Sequence, residues 1–395
     1  MFEEEIRKIA IEYNFPEDLL IYLNNFWDVS RLESIISSLR HPPKYYSIRI
    51  NTLKTTIEEV YTSLEKAGIN LCYHPFIDEA LLIEVKGPHQ IKVTNKIVVA
   101  NKYAAESVYI GADLYSRGIK SAKNVKKGDF VTIMDENGNP IANGIAVKDE
   151  KEILNNKSGL AVKVLESVYR TLSLRSLDEY IYGKICDQSI PAMLTSIVLD
   201  PQPNEVIVDM CAAPGGKATH IAQITFDKAS IYAFDNSPSK LSKLNENIIR
   251  LGIKSIRTFL SDSRYIHVDY PYLKADRILL DPPCSALGVR PKLFERKSVA
   301  DIMACAKYQM QFFKSAVEIL KRGGVLVYST CTITPHENEM IVKNALENFP
   351  LELDGQKLYL GERGLNIISK HDLLQRFYPD KNDTSGYFIA KFIKV

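Results

Sequence analysis

The sequence predicts an α/β chain: a doubly wound, mostly parallel sheet, preceded by a small β-barrel and an N-terminal helical and small α+β region. Three observations predict it. From Val206 to Tyr328, short apolar runs alternate with helical stretches at the spacing of parallel strand and helix units. Between Ile91 and Val168, short β-type runs are separated instead by Gly-Asp, Asn-Gly and Gly-Leu turn signals. Ahead of both, Ile6, Ile9, Ala10 and Tyr13, then Leu19, Leu20, Leu23 and Phe26, repeat at helical spacing across a break at Asn14-Phe15-Pro16. At 395 residues the chain exceeds one ordinary core, so the expected division is 1–88, 89–168 and 169–395.

In order, Tyr46 to Ile50 reads as a strand, the amphipathic Ile57 to Ala67, closed by Gly68, as a helix, and Leu81 to Val85 as a second strand. The barrel region offers a helix from Tyr103 to Tyr109 and strands at Ile97 to Val99, Phe130 to Met134, Ile141 to Val147 and Leu160 to Leu165. A helical stretch, Ser176 to Cys186 and then Pro191 to Leu199, leads into the large sheet. Its strands are Val206 to Met210, Ser230 to Phe234, Ile256 to Leu260, Arg277 to Leu280 and Gly324 to Tyr328, with helices at Lys240 to Leu251 and Ser298 to Leu320. The run Gly386 to Ile393 has no helix after it and is expected to add an antiparallel edge strand.

Composition narrows the class. The chain is 46% hydrophobic and 25% charged, with no run long enough to span a bilayer and an acidic N-terminus unlike a secretory signal, so a cytoplasmic protein without a membrane partner is expected. Six cysteines without paired metal spacing argue for free thiols rather than a metal site or a disulfide framework. A net charge of +2 does not argue for a polyanionic partner, although Lys120, Lys123, Lys126 and Lys127 cluster, as do Arg290, Lys292, Arg296 and Lys297.

Three loops carry candidate chemistry, each following an apolar strand at the rim where open α/β sheets bind ligands. In Cys211-Ala212-Ala213-Pro214-Gly215-Gly216-Lys217 small residues let the backbone approach a ligand, and a helix starts at about Lys217. Asp235, at the end of the next strand, suits two ribose hydroxyls, and Asp262, after the third, suits an adenine amino group. One ribose contact, one base contact and no phosphate cradle fit S-adenosylmethionine better than NAD or ATP. The other two loops place Cys284 after Asp281-Pro282-Pro283 and Cys331 after Ser329-Thr330.

Two thiols and a carboxylate beside a methyl donor suit methylation of cytosine carbon 5. That carbon is a poor nucleophile until a thiolate adds to carbon 6, while an acid near ring nitrogen 3 balances the developing charge. Asp281 is the candidate acid, and Lys217 would orient it or lower a nearby thiol's pKa. Spacing does not decide which thiol attacks. Cys72, Cys186 and Cys305 read as packing residues.

Asp209 to Lys217, Asp281-Pro-Pro-Cys284-Ser-Ala-Leu-Gly288, and Ser329-Thr-Cys331 with Pro335-His-Glu337-Asn338-Glu339 resemble the motifs of the Sun-family RNA cytosine-5 methyltransferases. The resemblance covers most of residues 170 to 395 and implies a Rossmann-like methyltransferase sheet. It implies Cys331 as the nucleophile and Cys284 as the thiol that assists release. It also implies S-adenosylmethionine contacts from Cys211 to Lys217, and at Asp235, Lys240, Asp262 and Asp281. Pro282 stands where that family often has Ala, and Ala286 where it often has Gly.

The stretch Ala104-Ala105-Glu106-Ser107-Val108, Gly111-Ala112, Arg117-Gly118-Ile119, Lys127-Gly128-Asp129 and Gly144-Ile145-Ala146 resembles a PUA domain, a small RNA-binding barrel. With Gly288-Val289-Arg290-Pro291, it resembles the branch that methylates transfer RNA near the acceptor end. The expected partner is therefore RNA, transfer RNA ahead of ribosomal RNA, bound by a monomer, with the basic clusters as candidate phosphate contacts. The rival expectation is an RNA-binding assembly factor that keeps the fold without turnover.

Overall fold

A computed structural model describes residues 2–395. Its largest element is a nine-stranded sheet in the order Ile256–Leu260, Ser230–Asp235, Val206–Asp209, Ala275–Leu280, Leu320–Thr330, Tyr387–Lys394, Gln375–Phe377 and Glu362–Arg363, with Leu351–Leu353 also paired to Tyr387–Lys394. The first five are parallel. Their apolar runs are nearly unbroken because both faces are covered. Leu194, Ile221 and Leu244, from helices Ile190–Leu199, Gly216–Ile224 and Pro238–Leu251, pack on one face. Phe312, Phe313 and Ile341, from Val299–Ile319 and Glu339–Asn348, pack on the other.

Tyr387–Lys394 is antiparallel, as expected, but it is not an edge. It lies between Leu320–Thr330 and Gln375–Phe377. Phe388, Ala390 and Phe392 enter one core while Tyr387 and Ile389 enter the other, so the strand needs cover on both faces and on its outer side. Its neighbour escaped notice because Gln375 and Arg376 are polar residues buried with internal partners, which no hydrophobic period marks.

The helices Phe2–Tyr13, Glu17–Asn24 and Val29–Leu39 form a small bundle packed on Leu287, Ile302, Ile333 and Tyr378 of the large region. Next comes a four-stranded antiparallel sheet in the order Ile185–Asp187, Tyr45–Ile50, Ala80–Glu84 and Leu71–Tyr73. Its first strand corrects the expected helical stretch from Ser176 to Cys186. Helix is confined to short turns at Leu174–Ser176 and Asp178–Ile181. At Gly183 φ is +71°, and a Cβ there would lie 2.0 Å from the Arg250 carbonyl oxygen, so the chain leaves the helix and enters the sheet. The sheet is thus completed by residues beyond the expected break at 168/169.

The segment between its two parts folds as a six-stranded sheet in the order Leu114–Tyr115, Leu160–Ser167, Pro140–Ala146, Phe130–Met134, Ile97–Ala100 and Ile119–Lys123. Val98, Val131, Ile133 and Val162 form its core, into which Leu293 and Phe294 of the large region insert. The polar Ile119–Lys123 carries no apolar run to announce it. Among the described residues no helix is long and apolar enough to cross a membrane.

Candidate active site

In the large sheet the strand order reverses between Val206–Asp209 and Ala275–Leu280, and the crevice at the carboxyl ends of such neighbours is where ligands bind. The loop from Cys211 follows the first strand and the loop from Asp281 the second. Ala275–Leu280 and Leu320–Thr330 are adjacent and parallel, with Leu280 opposite Tyr328, so the loops that follow them leave side by side. The Cys284 and Cys331 sulfurs are 3.4 Å apart.

Their shared hydrogen bond makes the two thiols unlike. It pulls the Cys331 pKa below the ordinary thiol value against the opposing effect of burial, with Lys217 helping, and the same bond together with burial holds Cys284 well above it. The sulfurs lie within hydrogen-bond distance, either thiol can be the donor, and the opposite shifts make Cys331 the more acidic of the two. Beside them, Lys217 Nζ lies 2.5 Å from Asp281 Oδ2, while Ser329 Oγ donates to Asp281 Oδ1 at 2.8 Å. The Tyr387 hydroxyl lies 3.3 Å from Ser329 Oγ. Burial disfavours the Lys217 ammonium, but the Asp281 carboxylate and Tyr387 outweigh it and keep the group cationic.

A buried polar frame fixes both loops. Glu337, fully buried, accepts from the Ser285 amide at 2.7 Å, Gln309 Nε2 at 3.0 Å and the Thr334 hydroxyl at 2.7 Å. Gln309 also donates to the Pro283 carbonyl, and Asn338 bridges the Thr330 hydroxyl and the Thr332 carbonyl. Arg376 pairs with Glu339 and donates to the Ile333 carbonyl. The Gly288 amide donates to the Cys331 carbonyl at 3.0 Å, and a Cβ at Gly288 would lie 2.1 Å from the Gly386 carbonyl oxygen. Gly288→Ala is therefore expected to destabilise the fold by about 2–3 kcal/mol and to slow the reaction, because the displaced loop carries the Gly288 amide that holds the Cys331 carbonyl; denaturant unfolding and turnover check the two effects. Ala286, in the same loop, has φ +55°, a left-handed conformation in which Gly would be unstrained.

A cavity of about 210 Å³ brings Cys211, Ala213, Asp235, Lys240, Asp262 and Asp281 together with both cysteines. The other loop residues face elsewhere. Ala212, Pro214, Gly216 and Lys217 line a neighbouring cleft with Asp209 and Gln188, and Gly215 backs onto Leu244. Asp235 already accepts from the Ala213 and Ser237 amides. Asp262 is held by Arg264, whose hydrogen bonds pull its carboxyl below the ordinary range and whose guanidinium lies 4.9 Å from the Tyr308 ring centroid. Arg264, Tyr308, Gln188, Ser329 and Tyr387 were not identified from sequence. Two of them carry a signal: Arg264 stands two residues after Asp262, and Ser329 stands in the motif that ends at Cys331.

The cluster Arg290 to Lys297 is corrected as a set of phosphate contacts. Arg290 is saturated by the carbonyls of His41, Pro42 and Pro379 and by Asp383, Lys292 is buried against Glu295, and Lys297 donates to the Ser285 carbonyl. These cations hold segments together. Arg296 is exposed and pairs with Glu136, which also pairs with Lys120, while Lys123, Lys126 and Lys127 are exposed.

Asp209 sits fully buried at its strand end, where burial pushes its carboxyl up to about 7, with Lys217 opposing. A carboxyl raised on folding binds its proton more tightly in the native state, so its effect is a loss of stability as pH rises from about 4 through 7. Asp209→Asn is expected to remove that loss, gaining on the order of 4 kcal/mol relative to the unaltered protein at pH 8 and little at pH 4. The difference between the two urea-unfolding curves against pH checks it, because the shared buried His220, lowered to about 4, cancels.

Comparison with known proteins agrees with this geometry. A family model described as 16S rRNA methyltransferase RsmB/F matches residues 196–393, a PUA domain model matches 96–168, and the ferredoxin-like domain of RsmF/B-like methyltransferases matches 15–90. The chain is 43% identical over 387 residues to a tRNA (cytosine(72)-C(5))-methyltransferase of Pyrococcus horikoshii, covering 96% of this chain and 97% of that one. It is 34% identical to the human tRNA (cytosine(72)-C(5))-methyltransferase NSUN6, covering 92% and 91%. The crystal structure of NSun6 from Pyrococcus horikoshii with SFG superposes with a TM-score of 0.89 at 42% identity, covering 97% of this chain and 99% of that one.

Proposed function

Because this chain belongs to the RsmB/F family of RNA cytosine-5 methyltransferases, we propose that it moves a methyl group from S-adenosylmethionine to carbon 5 of a cytosine in transfer RNA, near the acceptor end. The observation that carries the proposal is the pair of sulfurs 3.4 Å apart at the edge of the cavity that Asp235, Asp262 and Asp281 line, beside a lysine-held carboxylate.

The residues fit the donor. Asp235 offers a buried carboxylate for ribose, Asp262 and Asp281 line the same space, and Lys240 can meet the donor's own carboxylate. S-adenosylmethionine supplies an electrophilic methyl group. Cys331, as thiolate, bonds to carbon 6 of the flipped cytosine and turns carbon 5 into a nucleophile. Asp281, held by Lys217 and Ser329, balances charge at the ring-nitrogen edge. After methylation a base takes the carbon 5 proton, the electron pair left behind forms the carbon 5–carbon 6 double bond, and the Cys331 sulfur departs as thiolate, with Cys284 assisting that release. The bundle, the small sheet and the PUA module would hold the RNA, and Lys123, Lys126 and Lys127 are the candidate phosphate contacts.

Transfer RNA is preferred to ribosomal RNA because the match to the cytosine(72) enzymes runs nearly end to end, PUA module included. Incubation with labelled donor and separated RNA pools, followed by mapping of 5-methylcytosine, tests it. Label in transfer RNA at the acceptor stem is expected; label confined to ribosomal RNA would overturn the substrate, and none in any pool would favour the assembly-factor alternative. A cytoplasmic monomer is the accompanying reading, checked by light scattering and cell fractionation.

A further inference from the structure

Arg49 lies on the small sheet, far in sequence from every motif above, yet it is only 1% exposed and its guanidinium reaches across to the cofactor turn. One terminal nitrogen donates to the Gly216 carbonyl at 2.8 Å and to Gln188 Oε1; the other donates to Thr219 Oγ1 at 3.0 Å and to Cys186 Sγ at 3.3 Å. The Gly216 carbonyl belongs to the peptide that enters Lys217, the residue bonded to Asp281. A buried guanidinium directed at neutral acceptors, with no carboxylate in hydrogen-bond contact, is a costly way to join two domains, since an apolar contact would serve stability as well.

The same strand has a second end. Tyr45, Tyr46 and Ser47 line a cavity of about 380 Å³ between the small sheet and the large region, flanked by His74 and Phe76. Ser47 donates to the Gln188 carbonyl at 2.8 Å. The neighbours of Gln188, Asp187 and Ser189, line both this cavity and the cleft that holds Lys217 and Asp281. Tyr45 to Arg49 pair with Ala80–Glu84 and Ile48 to Ile50 with Ile185–Asp187, which ties the cavity end of the strand to the end that carries Arg49.

We propose that Arg49 is a positioning residue that couples occupation of the aromatic-lined cavity by substrate RNA to the setting of the Gly216–Lys217 peptide, so that RNA and the methyl donor bind cooperatively. The inference rests on the RNA methyltransferase reading. RNA seated against Tyr45 to Ser47 favours one placement of the strand; Arg49 transmits it to the turn, and Lys217 presents Asp281 accordingly. By linkage the donor must tighten RNA by the same factor.

The test uses the full chain, S-adenosylhomocysteine as the donor-site probe and an unmodified transfer-RNA transcript that the unaltered protein methylates. Calorimetry gives the dissociation constant of each probe alone and with the other saturating. The unaltered protein is expected to show tightening of about 5-fold or more, equal in both directions. In Arg49→Lys, whose ammonium cannot span the same acceptors, the factor is expected to fall below about 2-fold while each probe alone binds within about 3-fold of the original, and in Gln188→Ala the factor is expected to fall likewise whatever the affinity of each probe alone. A factor near one in the unaltered protein, or one retained in both variants, overturns the inference. If Arg49→Lys does not fold, Gln188→Ala and Ser47→Ala decide by the coupling factor alone. Failure of the functional reading is distinct, appearing as no methylation of any RNA by the unaltered protein.

Discussion

Cys331→Ala is expected to lower single-turnover methyl transfer by at least about 10⁴-fold and to leave no RNA bound after denaturation, whereas Cys284→Ala is expected to accumulate an RNA-linked species that survives a denaturing gel. The asymmetry follows from the bond between the sulfurs. The contact between the sulfurs lowers the Cys331 pKa and raises that of Cys284, so Cys331 is the more acidic thiol before RNA arrives. Removing Cys284 has two separable effects. Release slows, which traps the adduct, and the Cys331 pKa rises as that contact disappears, so adduct formation in Cys284→Ala is expected to shift to higher pH. Trapping in Cys331→Ala alone would exchange the roles, and trapping in neither would remove the covalent route.

Glu339→Ala is expected to cost about 3–5 kcal/mol in urea unfolding, the largest loss of stability of any substitution considered, because it strands a guanidinium in the core. Arg376 and Glu339 are 1% and 0% exposed by side chain. Arg376 stacks near Trp27, Tyr378 and Phe388 and has the Ile333 carbonyl as its other partner. The double variant Glu339→Ala/Arg376→Met is expected to recover a substantial part of the loss, since the charge leaves with its partner. Activity is expected to stay depressed in the double variant, because the Ile333 carbonyl loses the Arg376 donor that fixes the chain two residues after Cys331. A single-variant cost below about 1 kcal/mol would mean that Arg376 finds another partner.

The large sheet was legible because its strands are buried on both faces and read as plain apolar runs, and the three loops were legible because they interrupt those runs with small or reactive residues. Polar structure was not. Gln375–Phe377 reads as loop, and Ile185–Asp187 is too short to show a period beside the helical-looking residues before it. Arg290 and Lys292 look like surface charge in a sequence, and only the fold shows the carbonyls and carboxylate that enclose them. In the site, Cys331, Cys284, Asp281 and Lys217 were found by their chemistry. Among the residues that hold them, Glu337 stood within a quoted motif without a role, because a buried acceptor is defined by its donors, and two of its three, Ser285 and Gln309, are distant in sequence.

Completion of the small sheet by Ile185–Asp187 has a consequence for biogenesis. During synthesis Tyr45–Ile50 emerges with one flank unpaired, and its missing neighbour follows only after the intervening six-stranded module, a delay on the order of ten seconds at roughly 5–20 residues per second. The inserted module can mature first, leaving the earlier segment waiting with an open flank of the kind that recruits wrong partners. Arg49 waits longer still, since the Gly216 carbonyl leaves the ribosome later again.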